Sequence, residues 1–466
     1  MTATTAEPES RQAGRLSLSQ YLGYAGGDVA NNLTFSLASM FLLLYYTDVA
    51  GIAAGAAGTL LFVVRVWQAF TDILAGQVVD KTTTRWGRFR PYLLFGGPPL
   101  MLLSVALFSV PGGLSDGGAV AYAYASYALF GLVYSLVNIP FGSLASAMTQ
   151  LPQERARLAS ARTLGAAGAI ILLSVVVSPQ ITRSENLQRS LTITTLILAV
   201  VGIVLYLVSF KTSREIVERD AAPVSLKQSL GAIRHNRPLV LLCLSAVFML
   251  TGMFTLQTLQ VYYARDMLGN ADYQIVLTVV STGAMFLVSP AIPKIVETFG
   301  KKRAYVVAGA VTAIGGVGVA LSPPSVPALI FVLFAVYGAG IAAVQNLIFA
   351  LQSDTVEYGE WEAGVRTEGS NYAALSFCRK VGQGIGGGIA AFGIGVGGYV
   401  AGSATQSPGA LDAIRYLTGF GPALFVGIGA AIMLAYPLTE ERFQEVVREI
   451  AFRRAERKPG ASKRPA

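Results

Sequence analysis

Stretches of mostly apolar residues, each about 20 long and so able to cross roughly 30 Å of hydrocarbon, recur along the chain between short polar breaks. They fall near 20–48, 54–79, 91–111, 118–149, 158–181 and 190–210, then near 238–264, 272–298, 303–322, 327–353, 370–400 and 412–437. These windows predict twelve transmembrane helices and an all-α membrane protein. Pro140, Pro179 and Pro290 lie inside windows, which bundled helices tolerate because neighbours satisfy the freed backbone groups. The longest polar interruption, 211–237, divides the windows into two sets of six. The expected organisation is an N-terminal segment (1–17), a first six-helix bundle (18–210), a central loop (211–237), a second bundle (238–438) and a basic tail (439–466). Within that tail, Arg453 to Ala466 reads as disordered.

Composition supports this pattern. Of 466 residues, 53% are hydrophobic and 13% charged, about half the roughly 25% charged of a soluble domain. Cys243 and Cys378 sit in apolar runs, against a disulfide-stapled secreted fold. The single histidine, His235, leaves no His-based metal site or triad. A net charge of +9 could suggest nucleic acid, but the cations cluster in short loops. Loops on the side of the termini hold 27 of the 35 Lys and Arg, and those on the opposite side hold four. The positive-inside rule then places both termini in the cytoplasm of a multi-pass protein of the plasma or inner membrane. No removable signal peptide is expected. An internal echo supports two related halves: a basic turn over Asp80–Pro91 follows the second window, and another over Pro293–Arg303 follows the eighth.

Ionisable groups inside a span cost at least about 2.5–3.5 kcal/mol each on insertion scales, so those present need a partner or a task. The first window carries Asp28, Asn32, Ser36 and Ser39. The second carries Arg65, Gln68 and Asp72 on one helical face. Ser135 and Asn138 precede Pro140 in the fourth, and Arg162 lies in the fifth. In the eleventh, Ser376, Lys380 and Gln383 share a face, with Arg379 about 100° away. Plainer readings compete: Arg65 as the internal partner of Asp72 or Asp28, and Asn32, Gln257 and a Thr251–Thr255–Thr258 stripe as interhelical hydrogen bonds. Asp80, Arg85, Arg88 and Arg90 are expected to make gating contacts between helix ends. Four mid-membrane cations (Arg65, Arg162, Arg379, Lys380) face two anions, a surplus that Asp354 and Glu357 could partly offset. Such a surplus favours an anionic substrate, whose carboxylate Arg grips in bidentate fashion. No nucleophile–base pair, metal cluster or phosphate loop is evident, so neither an enzyme nor a bound cofactor is expected.

Several short motifs resemble one family when taken together: Tyr45–Gly51, Asp80–Pro91, Leu136–Leu144, Asp354–Glu360, Arg366–Gly369 and Phe377–Gly382. They are similar to the glycoside–pentoside–hexuronide:cation symporters of the major facilitator superfamily. The likeness is strongest to bacterial glucuronide permeases and more distant to melibiose permease, over about residues 18 to 450. It implies two halves rocking about a midplane site. It also implies sugar contacts at Asp28, Asn138 and Arg162 with Lys380 on the eleventh helix, and a cation site at Gln68, Asp72 and Ser135, near Asp28. Asn138 stands where galactoside carriers have an acid, and Gly142 and Gln345 where they have aromatic residues. Gln68 removes one of two cation-site acids, which favours a proton on Asp72 over sodium. The expected substrate set is Asp28, Asn32, Asn138, Arg162, Gln345, Ser376, Arg379 and Lys380. The expected function is import of a glucuronide or related glycoside with H+ or Na+. A drug exporter of the same superfamily and a non-transporting sugar sensor are the alternatives.

Overall fold

The structure, a computed structural model, describes residues 16–149, 151–216, 236–364, 368–403 and 405–456. Residues 1–15, 217–235 with His235, 365–367 with Arg366, and 457–466 lie outside these, as does the side chain of Asp80. The described residues form helices and connecting turns, with a helix at each of the twelve expected windows. The first set is α1 (Leu18–Val49), α2 (Ala54–Asp80), α3 (Arg90–Leu107), α4 (Asp116–Met148), α5 (Pro152–Arg183) and α6 (Leu187–Thr212). The second is α7 (Arg237–Met267), α8 (Tyr273–Phe299), α9 (Lys301–Leu321), α10 (Pro327–Ala363), α11 (Glu368–Val396) and α12 (Pro408–Leu434). A final helix, α13 (Glu440–Glu456), follows, so Arg453 belongs to a helix and not to the disordered tail expected from composition. Its Val446 and Ile450 bury against the second half, which is a tertiary reason for order.

Ten of the described helices are long and apolar enough to cross a membrane; α3 and α11 are not among them. Arg90 and five prolines or glycines dilute α3, and glycine and charge dilute α11. Both nonetheless pack against spanning helices, α3 against α4 and α6, and α11 against α2 and α7. The turn between α8 and α9 is tighter than the expected 293–303 loop. α8 passes through a 3₁₀ turn at Ser289–Ala291, where Pro290 and Pro293 remove backbone donors, and continues to Phe299. Gly300 alone, at φ +75°, then reverses the chain.

α2 lies along α11, α5 along α8, and α1 touches α7, so these pairs join the two halves. Large exposed apolar side chains such as Ile197, Val200 and Val204 on α6 and Val307 and Ile314 on α9 look outward, as a lipid-facing surface requires. The apolar core is not uniform. One cluster runs through the first half and continues into Leu256, Tyr262, Ile330 and Ile394 of the second. A separate cluster around Leu239, Leu347, Tyr436 and Val446 is built from the second half, with Phe35 of α1 packed against it. The halves are therefore fused by hydrophobic packing at the face where α1 and α7 end, and their cores part toward the face where the chain begins. We call these the far face and the terminal face.

Candidate functional site

The far-face seal is built by two helix ends of the same design. α1 and α7 each close in a π turn, Tyr45–Val49 and Tyr263–Met267, followed by Gly51 and Gly269 at φ +69° and +71°. This second internal echo went unrecognised in the sequence, although Tyr45-Tyr46 opens the first turn and Tyr262-Tyr263 straddles the start of the second. The two ends meet. Arg265 pairs with Asp48 across the halves at 3.0 Å and with Asp266 at 2.8 Å. Tyr399, after α11, donates its hydroxyl to Asp48 at 2.7 Å and packs edge-on against Tyr262. Burial pushes the Tyr399 hydroxyl above the ordinary tyrosine range, so it keeps the proton it donates. Thr47 and Tyr262 share a 2.9 Å hydrogen bond, and nearby Arg183 of α5 pairs with Asp272 before α8.

Beneath this seal, α11 reaches the first half because it lacks side chains where it crosses its neighbours. A Cβ at Gly382 would lie 2.5 Å from the Val247 carbonyl, and one at Gly386 2.5 Å from that of Thr251. Thr251 and Thr255 donate to those same glycine carbonyls at 3.3 and 3.2 Å, the interhelical hydrogen bonds of the plainer reading, whereas Thr258 lines the pocket described below. On the opposite side, Gly384 meets Arg65. The close approach brings the Lys380 Nζ within 2.6 Å of an Asp72 oxygen and 3.4 Å of the Gln68 carbonyl. The other carboxylate oxygen of Asp72 is buried with no partner among the described residues.

Asp28 pairs elsewhere. Its carboxylate accepts from the Arg162 Nε at 2.6 Å and from Asn32 at 3.0 Å. Asp28 is 2% exposed while the Arg162 side chain is 39% exposed, so the pair opens on its arginine side. Arg162 also lies over Phe141, and a Cβ at Gly142 would be 3.8 Å from its guanidinium. Arg65 pairs with neither acid, contrary to its plainer reading. It donates to the Gln68 side chain at 3.0 Å and to Ser39 at 2.9 Å and sits over the rings of Phe35 and Phe254. Ring faces and neutral oxygens solvate this cation. Tyr134 is stacked on Phe35. A small pocket between Arg65 and the seal is lined by Ser39, Leu43, Tyr127, Thr258 and Gln383, among others.

Other expected residues sit at varying distance from this centre. Ser135 shares a 2.9 Å hydrogen bond with Thr71, one residue from Asp72. Asn138 lies a turn further along α4. Gln345 on α10 donates to the Met253 sulfur at 3.1 Å. Arg379 rests over Phe349, one turn beyond Gln345, at 4.9 Å, while Ser376 shares the face of α11 toward Lys380. Asp354 pairs with Lys301 at 2.8 Å and so is not available to offset the cation surplus. The loop residues bind within their own half. Arg90 donates to the Phe210 carbonyl at 2.8 Å and Arg88 to that of Val79 at 3.0 Å. Arg85 covers Trp86. The carboxylate of Glu215, which the sequence reading did not single out, accepts from the backbone of Arg88, Phe89 and Arg90 at 2.8, 2.8 and 3.0 Å.

Paired charges held between two halves that are sealed at one face form the working parts of a transporter, not of an enzyme. The chain belongs to the MFS/sugar transport protein family, whose sequence profile matches residues 23–440. It is 44% identical over 444 residues to the glucuronide carrier protein homolog of Escherichia coli (strain K12), covering 94% of this chain and 96% of that one. It is 33% identical over 430 residues to the isoprimeverose transporter of Lactiplantibacillus pentosus, with 90% and 88% covered. Among solved structures, a D-xylose–proton symporter superposes with a TM-score of 0.63 at 14% identity, over 90% of this chain and 97% of that one. This last likeness carries the fold alone.

Proposed function

We propose that this protein imports an anionic glycoside of the glucuronide type in symport with a proton, by alternating access between the two halves, across the plasma or inner membrane. The terminal face, with its basic loops, is cytoplasmic on this reading, and the structure is then the inward-opening state. The observation that carries the proposal is the double pairing of Asp28 with Arg162 and Asp72 with Lys380 in a 44% relative of a glucuronide carrier homolog. Asp28, Asn32 and Arg162 present acceptors and donors to sugar hydroxyls from the first half, and α11 presents cations from the second. A single unpartnered oxygen remains on Asp72, since Gln68 is held by Arg65 and Ser135 by Thr71. Sodium is a hard cation that takes several oxygens, whereas one oxygen suffices for a proton. Protonating Asp72 would release Lys380 toward the substrate and remove the cost of enclosing a carboxylate.

A drug exporter of the same superfamily fits less well, because arginine, aspartate, lysine and asparagine side chains converge here where a greasy solute would meet bare apolar walls. The deciding experiment is uptake of labelled glycosides into proteoliposomes under imposed proton or sodium gradients. Accumulation of a glucuronide above equilibrium under an inward proton gradient is expected. Uptake driven only by sodium would overturn the proton assignment, and failure to move any glycoside would overturn the substrate class.

A further inference from the structure

Of the four cations at the level of the site, three are engaged. Arg162 is matched by Asp28 and Lys380 by Asp72, and Arg65 is solvated by Gln68, Ser39 and two rings. Arg379 is different. It rests on the Phe349 ring, and no carboxylate pairs with it among the described residues. Arg379 is part-buried, and its guanidinium donors can take a bound anion as the counter-charge they lack. Its surroundings suit one. Tyr372, two turns earlier on the same face of α11, is 55% exposed. Arg162, from the first half, is likewise part-exposed, at 39% of its side chain.

We propose that Arg379 is the receptor for the substrate's carboxylate, and that Lys380 beside it is not. Resting on the anionic-glycoside reading above, this assigns the charge-selecting role to one residue of the site. The guanidinium offers two parallel N–H donors to a carboxylate, while the sugar ring extends toward Asp28 and Arg162. A substrate held by Arg379 on α11 and by Asp28 and Arg162 on the first half ties the two halves together. Substrate therefore favours the closed arrangement over the open one, which is the differential affinity that a population shift requires. Lys380, held by Asp72, responds instead to the coupling proton.

The test is binding of p-nitrophenyl β-glucuronide and of the neutral p-nitrophenyl β-glucoside to the purified full-length protein and to Arg379→Met, Arg379→Lys and Lys380→Met. A charge-assisted bidentate contact is worth about 1.5–3 kcal/mol, so Arg379→Met should weaken the glucuronide roughly 10- to 150-fold and leave the glucoside within about twofold. Arg379→Lys should fall between, and Lys380→Met should alter both glycosides alike. Retained glucoside binding in Arg379→Met shows that the variant is folded. Equal loss on both glycosides, or glucuronide selectivity that follows Lys380 instead, overturns the assignment. If the wild-type protein binds neither glycoside, the proposed function fails. The role of Arg379 is then read from free galacturonate. A rise in melting temperature that disappears in Arg379→Met sustains it, and no rise in the wild type refutes it.

Discussion

Each acid of the site answers to a particular base, and the two pairs differ in what their loss would do. Asp72 keeps one unpartnered oxygen, so Asp72→Asn should abolish accumulation against a gradient while sparing exchange of labelled for unlabelled substrate in proteoliposomes. Normal accumulation by that variant would remove Asp72 from coupling. Asp28, by contrast, is 2% exposed and held by Arg162. Arg162→Met would leave it buried with Asn32 alone and should lower the melting temperature in detergent, with a loss below the about 3–5 kcal/mol of a fully buried pair because Arg162 is 39% exposed. The double variant Asp28→Asn with Arg162→Met should recover most of that stability and none of the transport. Which base meets which acid was not legible in the sequence. Helical spacing places Arg65 and Asp72 on one face, yet α11 arrives from more than 300 positions away and supplies Lys380 instead. The candidate list itself was legible, because charge is costly in hydrocarbon and therefore rare enough to be noticed.

At the scale of elements, glycine decides where α11 can go. It crosses α7 at Gly382 and Gly386 and α2 at Gly384, and these contacts bring Lys380 to Asp72. Gly386→Val would drive a side chain into the Thr251 carbonyl, at a cost of about 1–3 kcal/mol for overpacking. It should lower the melting temperature and transport together. Gly427→Ala on α12, with nothing within 4 Å of its would-be Cβ, should be neutral or stabilising by about 0.5–1 kcal/mol. If both substitutions behave alike, close approach is not what α11 needs its glycines for. The polar and glycine-rich character of α11, which weakens its signature as a spanning segment, follows from the same requirement. A helix enclosed by neighbours and lined with functional groups need not satisfy lipid.

The whole molecule is held by a seal at one face and opens at the other. Asp48, Arg265 and Tyr399 join the halves at the point where their apolar cores are continuous. Arg265→Gln would leave Asp48 with Tyr399 and Thr47 alone and shift the balance toward opening of the far face. A loss of about 1.4 kcal/mol is a tenfold change in that equilibrium. In a Cys243→Ala, Cys378→Ala background, a cysteine replacing Leu43 on the pocket wall should react at least severalfold faster with an impermeant maleimide from the far-face side when Arg265→Gln is added. An unchanged rate would mean that apolar packing alone maintains the seal.

By itself, the order of residues determined the helices, their grouping into two sets and the short roster of charges able to do chemistry. These follow from local rules, since a lipid solvent demands apolar stretches of set length and makes every buried charge conspicuous. The tertiary structure decided the rest: the Lys380–Asp72 and Arg162–Asp28 pairs, the π-turn seal, and the unmatched Arg379. Each depends on which helices touch and at what level. Partners hundreds of residues apart are chosen by packing, and no spacing along the chain encodes that choice.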